Sequence, residues 1–100
     1  MARYIAITSA TTTTLIEKNG SIGGAIRKIT ICNNSANAAT GVHVNLWDGS
    51  SETLFHFCRN VTIPSGATLV LDDNLAFDKS VYKLRISNAG TDPDITVIIK

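Results

Sequence analysis

His56 and Cys58 stand two residues apart in the stretch Phe55-His56-Phe57-Cys58-Arg59. In an extended strand that spacing sets both side chains on one face. A thiol beside an imidazole is the minimum for nucleophilic catalysis, the ring drawing off the thiol proton, and a third group must hold the ring in place. No such third group is written nearby, and no G-x-S-x-G elbow surrounds any serine. The pair therefore reads as a half-buried polar position beside a small apolar filler, and the chain as no enzyme.

The acidic residues offer two further candidates, Asp72-Asp73 and Asp92-x-Asp94. Glycoside hydrolysis would need two carboxyls facing each other across a cleft about 5 to 9.5 Å wide. Both pairs instead sit in Asx-rich turns, where Asp and Asn hydrogen-bond their own backbone. A D-x-[DN]-x-[DN]-G calcium loop is absent, so neither a metal nor a cofactor is expected. Cys32 and Cys58 have no C-x-x-C spacing and are expected as free thiols of a protein made in a reducing cytosol. Gly20, Gly23 and Gly24 lie between strands and open no helix, which removes a phosphate-cradling loop.

Charge excludes more. The net charge is +1, with acids and bases interspersed, and Arg27-Lys28 is the only basic doublet, so neither nucleic acid nor an anionic membrane is an expected partner. The opening residues lack the apolar core of a signal peptide, and no run approaches the roughly 20 apolar residues of a membrane-spanning helix.

The elements that must position these groups are strands. Apolar and polar residues alternate with a period of two almost throughout the 100 residues, and helical periodicity is nearly missing. Arg3, Ile5 and Ile7 share one face. The Thr11–Thr14 run either extends that strand or forms an arm leading to Leu15-Ile16. Glu17-Lys18-Asn19-Gly20 reads as a turn with a strong hairpin signal, and residues 21–24 as a flexible link. Further strands are expected over 25–33, 42–47, 53–63, 67–71, 81–86 and 95–99. Between the first two of these lies "NNSANAATG", a loop of small residues with no anchoring hydrophobe. Arg59 interrupts the Phe55, Phe57, Val61, Ile63 face and predicts a bulge or a sheet edge. Pro64-Ser65-Gly66 forces a corner, since proline cannot donate to a ladder. Seven to eight short strands with no crossover helix predict a single-domain, all-β antiparallel sandwich, Ig-like or jelly-roll-like.

On that sandwich Val42, Val44 and Leu46 form an inner face, and His43, Asn45 and Trp47 the opposite one. A tryptophan there must be covered. Three covers are open: a second buried face, a protein partner, or a stacked sugar ring. Lys83 and Arg85 likewise share an outward face.

Two stretches carry a resemblance. "KITICNNSANAATGVHVNLWDG" (28–49) and "NVTIPSGATLVLDDNLAFDKSVYKLRIS" (60–87) resemble small structural proteins carried by tailed bacteriophages, notably those of marine bacteria. The resemblance covers about half the chain, and its motifs mark scaffold. It implies a virion protein acting by surface contact, most simply a head decoration or cement protein bound to the major capsid protein or other virion proteins as a homo-oligomer, with a neck or tail component or a carbohydrate-binding module as alternatives. It further implies that residues 1–16 form an edge strand or arm, that residues 17–100 form the body, and that Arg3, Tyr4, Ile5, Thr12, Thr14, Leu15, His43 and Trp47 contribute to contact surfaces, with Trp47 as the anchor.

Overall fold

The computed structural model describes residues 3–20, 26–50, 55–72, 75 and 77–100. Among them the chain forms eight strands: β1 (Arg3–Ile7), β2 (Thr12–Ile16), β3 (Ile29–Asn33), β4 (Ala39–Trp47), β5 (Phe55–Ile63), β6 (Thr68–Leu71), β7 (Lys83–Ser87) and β8 (Ile95–Ile99). They build two four-stranded sheets, ordered β1-β8-β3-β6 and β2-β7-β4-β5, and every strand pairing is antiparallel. This order, in which the chain changes sheet at every connection except β4 to β5, is that of an eight-stranded jelly roll. It decides between the two sandwich types that the sequence leaves open.

The alternation has the expected consequence. From the first sheet Ile29, Ile31, Ile95, Val97 and Ile99 point inward, and from the second Val42, Val44, Leu84 and Ile86, all buried in one cluster. β-Branched residues fill the first sheet because they suit a pleated, packed surface, and each fully buried Ile or Val contributes roughly 1.5–3 kcal/mol.

Residues 3–7 and 12–16 belong to different sheets: β1 pairs with β8 at the edge of one, and β2 with β7 at the edge of the other. The Thr run is thus a strand of its own. The Asn19-Gly20 turn forms as expected, with Asn19 at φ 58° and the Gly20 N–H donating to the Glu17 carbonyl at 3.2 Å. It makes no hairpin, because β2 and β3 lie in opposite sheets. Lys79 holds it from across the molecule, its Nζ donating to the Gly20 carbonyl at 2.6 Å. The expected link over 21–24 and the start of the 53–63 strand lie outside the described residues.

Arg59 does mark both a bulge and an edge. β5 is the outer strand of its sheet, and its register against β4 slips between the pairs Val42–Val61 and Val44–Cys58, with Asn60 at φ 54°. A second slip, between Val44–Cys58 and Asn45–His56, makes Phe57 an extra residue. The two slips break the expected single face: Ile63 is buried, Phe57 half-buried, and Phe55 52% exposed.

The loop after β3 has no hydrophobic anchor and is pinned by polar ones. Asn33 is fully buried; its Nδ2 donates to the carbonyls of Asn37 (2.9 Å) and Ile63 (3.0 Å), and its Oδ1 accepts the Ser35 N–H (3.0 Å). Ser35 Oγ donates to the Asp92 carbonyl at 2.9 Å, and Ser65 Oγ to the Ser35 carbonyl at 2.6 Å. The Pro64 corner closes with the Ala67 N–H donating to the Pro64 carbonyl at 3.0 Å and Gly66 at φ 77°. A positive φ at the third position of a turn is what glycine supplies without a Cβ clash.

Candidate functional site on the outer face of the second sheet

The residues of the second sheet that do not point into the core gather on its outer face. Ladder pairs place His43 opposite Ser87, Asn45 opposite Arg85 and His56, and Trp47 opposite Lys83, while Thr12 and Thr14 of β2 stand opposite Ser87 and Arg85. One row across the sheet therefore runs Thr14, Arg85, Asn45, His56.

Trp47 is the centre of this surface. The Arg85 Cζ lies 4.4 Å and the Lys83 Nζ 4.8 Å from the indole ring centroid. Both cations are within the range at which a ring quadrupole attracts them, Trp most strongly. Of the three covers open for Trp47, the chain itself thus provides a partial one, two side chains of the neighbouring strand. Beneath it Asn45 is only 5% exposed although it sits on an outward face. Its Oδ1 and the Nε of Arg85 are both buried and have no hydrogen-bond partner.

At the β5 side His43 and His56 face each other with ring centroids 6.1 Å apart. The Asn60 N–H donates to His43 Nδ1 at 3.1 Å, which fixes the ring to the bulge. Desolvation, then the Arg59 guanidinium, then His43 hold the His56 pKa below its ordinary value.

The remaining contact candidates fall elsewhere. Tyr4, 70% exposed, points outward from β1 on the first sheet, opposite Ile98, while Arg3 and Ile5 face the sandwich side and Ile5 packs against the core. Leu15 is 0% exposed in the core, a correction to its expected place at a contact surface. Leu15 keeps the inward parity of Thr13, which pairs with Ile86, and the register slip between Thr14 and Ile16 turns Ile16 inward as well, opposite Leu84. The structure thus unites Thr12, Thr14, His43 and Trp47, and separates them from Arg3, Tyr4 and Ile5. Asn45, Lys83, Arg85 and His56 complete the surface. Their signal in the sequence is the shared parity of His43, Asn45 and Trp47 and of Lys83 and Arg85.

The thiol–imidazole pair is taken apart. Because Phe57 is the extra residue of the bulge, His56 lies opposite Asn45 on the outer face and Cys58 opposite Val44 on the inner one. Burial pushes the Cys58 thiol pKa up, away from the thiolate a nucleophile needs. Both cysteines are free, and Cys32 Sγ lies 3.4 Å from Asn34 Oδ1. Among the described residues no group of three His, Cys, Asp or Glu side chains could hold a metal ion, and no helix is long and apolar enough to cross a membrane.

No family model and no curated protein matches the chain. Similar solved structures include the Anabaena sensory rhodopsin transducer, at 18% identity and TM-score 0.49 over 97% of this chain and 94% of that one. The Drosophila melanogaster CENP-C cupin domain is similar at 11% identity and TM-score 0.44, over 99% of this chain, which spans 59% of the fly chain. An infectious bursal disease virus (Gt strain) chain is similar at 13% identity and TM-score 0.39, with 98% of this chain spanning 33% of the viral one. The strand order of the jelly roll stands independently of these likenesses.

Proposed function

We propose that this protein is a non-enzymatic structural component of a tailed-bacteriophage particle, a head decoration or cement protein that binds the major capsid protein or a neighbouring virion protein in many copies. The observation that carries the reading is the outer face of the β2-β7-β4-β5 sheet, where Trp47, Arg85 and Lys83 stand together on rigid ladder positions. Trp and Arg are the residues that dominate protein contact surfaces, since each buries a large area around a polar handle. The phage resemblance of residues 28–49 and 60–87 covers β4, part of β5 and β7 of this face, though not β2, and supplies the virion setting. A jelly roll suits the task, because two four-stranded ladders packed face to face make a firm block and leave the outer sheet faces as the working surfaces.

The test is cosedimentation of the purified protein with host-matched phage particles, followed by a map of the decorated particle. Binding in symmetry-related copies with Trp47 at the contact is expected, with occupancy falling at least about tenfold for Trp47→Ala, as for the anchor of an interface. A protein that never sediments with heads, necks or tails would refute the reading. A sugar on Trp47 is the competing use. Two cations already lie over the indole, so a sugar ring would have to displace them; hits on a glycan array lost in Trp47→Ala would favour that use instead.

A further inference from the structure

We infer that the outer face of the second sheet docks the Asp92-Pro93-Asp94 turn of a second copy of this chain, with Lys83 and Arg85 taking the two carboxylates. The inference deepens the multi-copy structural role proposed above and concerns the purified protein alone.

Charge distribution is the first argument. The strands β2, β7, β4 and β5 contain no Asp or Glu, yet they carry Lys83, Arg85, Arg59, His43 and His56. Two carboxylates directly follow these strands, Glu17 after β2 and Asp48 after β4, and the Asp48 Oδ1 already accepts the Ser50 N–H at 2.9 Å. The face is therefore one-signed on a chain whose net charge is only +1. Among the described residues the balancing acids lie outside these strands, in turns and loops.

Polar satisfaction is the second. On an outward sheet face, a buried acceptor (Asn45 Oδ1) and a buried donor (Arg85 Nε) in one ladder pair both lack partners. Asn45 is more than nine-tenths buried, so open water does not serve it. Such groups are costly unless something completes them; a carboxylate is the strongest acceptor a guanidinium can be given, whereas Asn45 Oδ1, itself an acceptor, needs an N–H or O–H donor from the docked turn.

A pair of exposed acids on a pre-set turn is the third. Lys83 and Arg85 are two residues apart on a strand, about 6.6–6.8 Å along it. Asp92 and Asp94 are also two residues apart, and both are exposed. Their turn is held by its backbone: Ser35 Oγ donates to the Asp92 carbonyl at 2.9 Å and the Asn34 N–H to the Asp94 carbonyl at 2.7 Å. Pro93 stiffens it further. The backbone of the turn is thus set in advance, and little backbone ordering entropy is lost on docking. Within one chain the turn follows the far end of β7 from Lys83, so the contact joins different patches of two copies, a head-to-tail arrangement that closes into a ring or runs on as a chain.

The experiment is sedimentation velocity of the full chain over a concentration series at low and high salt. The wild type is expected to associate, more weakly at high salt. Lys83→Glu/Arg85→Glu and Asp92→Asn/Asp94→Lys are each expected to self-associate at least about tenfold more weakly, and an equimolar mixture of the two to recover association. Asparagine is chosen at 92 because the site has φ 46° and Asn tolerates that region. The near-isosteric pairs Lys83→Gln/Arg85→Gln and Asp92→Asn/Asp94→Asn, checked for native circular dichroism, should weaken association in the same direction. A wild type that stays monomeric throughout, neutral variants that associate like wild type, or a mixture of folded charge-reversed variants that does not recover association would overturn the inference. Particle binding by a monomeric protein would leave the proposed function intact while removing this contact.

Discussion

Replacing Asn33 by alanine should cost this protein more than any single methyl deletion in its core, because one fully buried amide holds three segments together. Its three hydrogen bonds, to the carbonyls of Asn37 and Ile63 and from the Ser35 N–H, measure 2.9 to 3.0 Å. Each contributes about 0.5–1.5 kcal/mol net, and stranding a buried group such as the Ser35 N–H costs about 1–3 kcal/mol. The expected loss is about 3–4 kcal/mol, against the 5–15 kcal/mol that domains of this kind have in total. For a chain of this length that lowers Tm by roughly 15–25 °C. Urea denaturation with an unchanged m-value measures it, and hydrogen exchange should show the Ser35 amide losing protection first. Asn33→Asp is the informative control: it keeps the acceptor for Ser35 but replaces the one nitrogen that makes both donor bonds by an oxygen that repels the two carbonyls, so it should be no milder than alanine. A loss below about 1 kcal/mol for Asn33→Ala would mean that the loop is held by its backbone alone, and the polar-anchor account would fail.

Acid should destabilise the protein through His56. The unfolded ring takes its proton at the ordinary value of 6.5, while the folded ring, partly desolvated and beside Arg59 and His43, takes it only at lower pH. Between those points the unfolded chain binds more protons, so stability is full above about 6.5 and falls as pH drops through the window; urea midpoints across pH should show the fall, and His56→Gln should flatten it. Cys58 should alkylate with iodoacetamide more slowly than a free cysteine peptide at the same pH, since burial raises its pKa; equal rates would contradict its inward placement. Gly41→Ala should destabilise more than Gly66→Ala, both being at positive φ (58° and 77°), because only at Gly41 would the new Cβ meet a neighbour, the Ala89 Cβ at 3.2 Å. Thermal melts of the two variants compare them directly, with about 1–2 kcal/mol expected from the backbone term alone.

The inner half of this fold could be read from parity. Ile29, Ile31, Val42, Val44, Leu84, Ile86, Ile95 and Val97 alternate cleanly and are all buried. Parity fails where the backbone slips, and a slip is written in no residue type: Phe57 and Leu15 are apolar residues like their neighbours, and only pairing against β4 and β7 shows them as bulged. That is why the His56 and Cys58 pairing dissolves. Sheet order was equally hidden, because Asn-Gly encodes a turn but not which strands it joins. Polar anchoring was half legible: Asn33-Asn34-Ser35 marks a loop, while its partners Ile63, Ser65 and Asp92 lie about 30 to 60 residues away in sequence.

The contact face illustrates why a strand's outward residues carry more functional information than its core. Val44 and Leu46 would serve any sandwich, whereas Asn45 and Trp47 on the same strand are poor choices for a surface that only meets water. A leucine at position 45 would bury the same area without an unpaired oxygen, and a threonine at 47 would remove an indole that needs two cations to cover it. Asn45→Leu is therefore expected to raise stability by about 1–3 kcal/mol, the cost of the unmet Oδ1, while weakening the association of Lys83 and Arg85 with their carboxylates. Urea denaturation and sedimentation on one preparation separate the two effects. A variant both less stable and equally associated would show that Asn45 serves the fold of the isolated chain, and the contact face would lose its buried polar support.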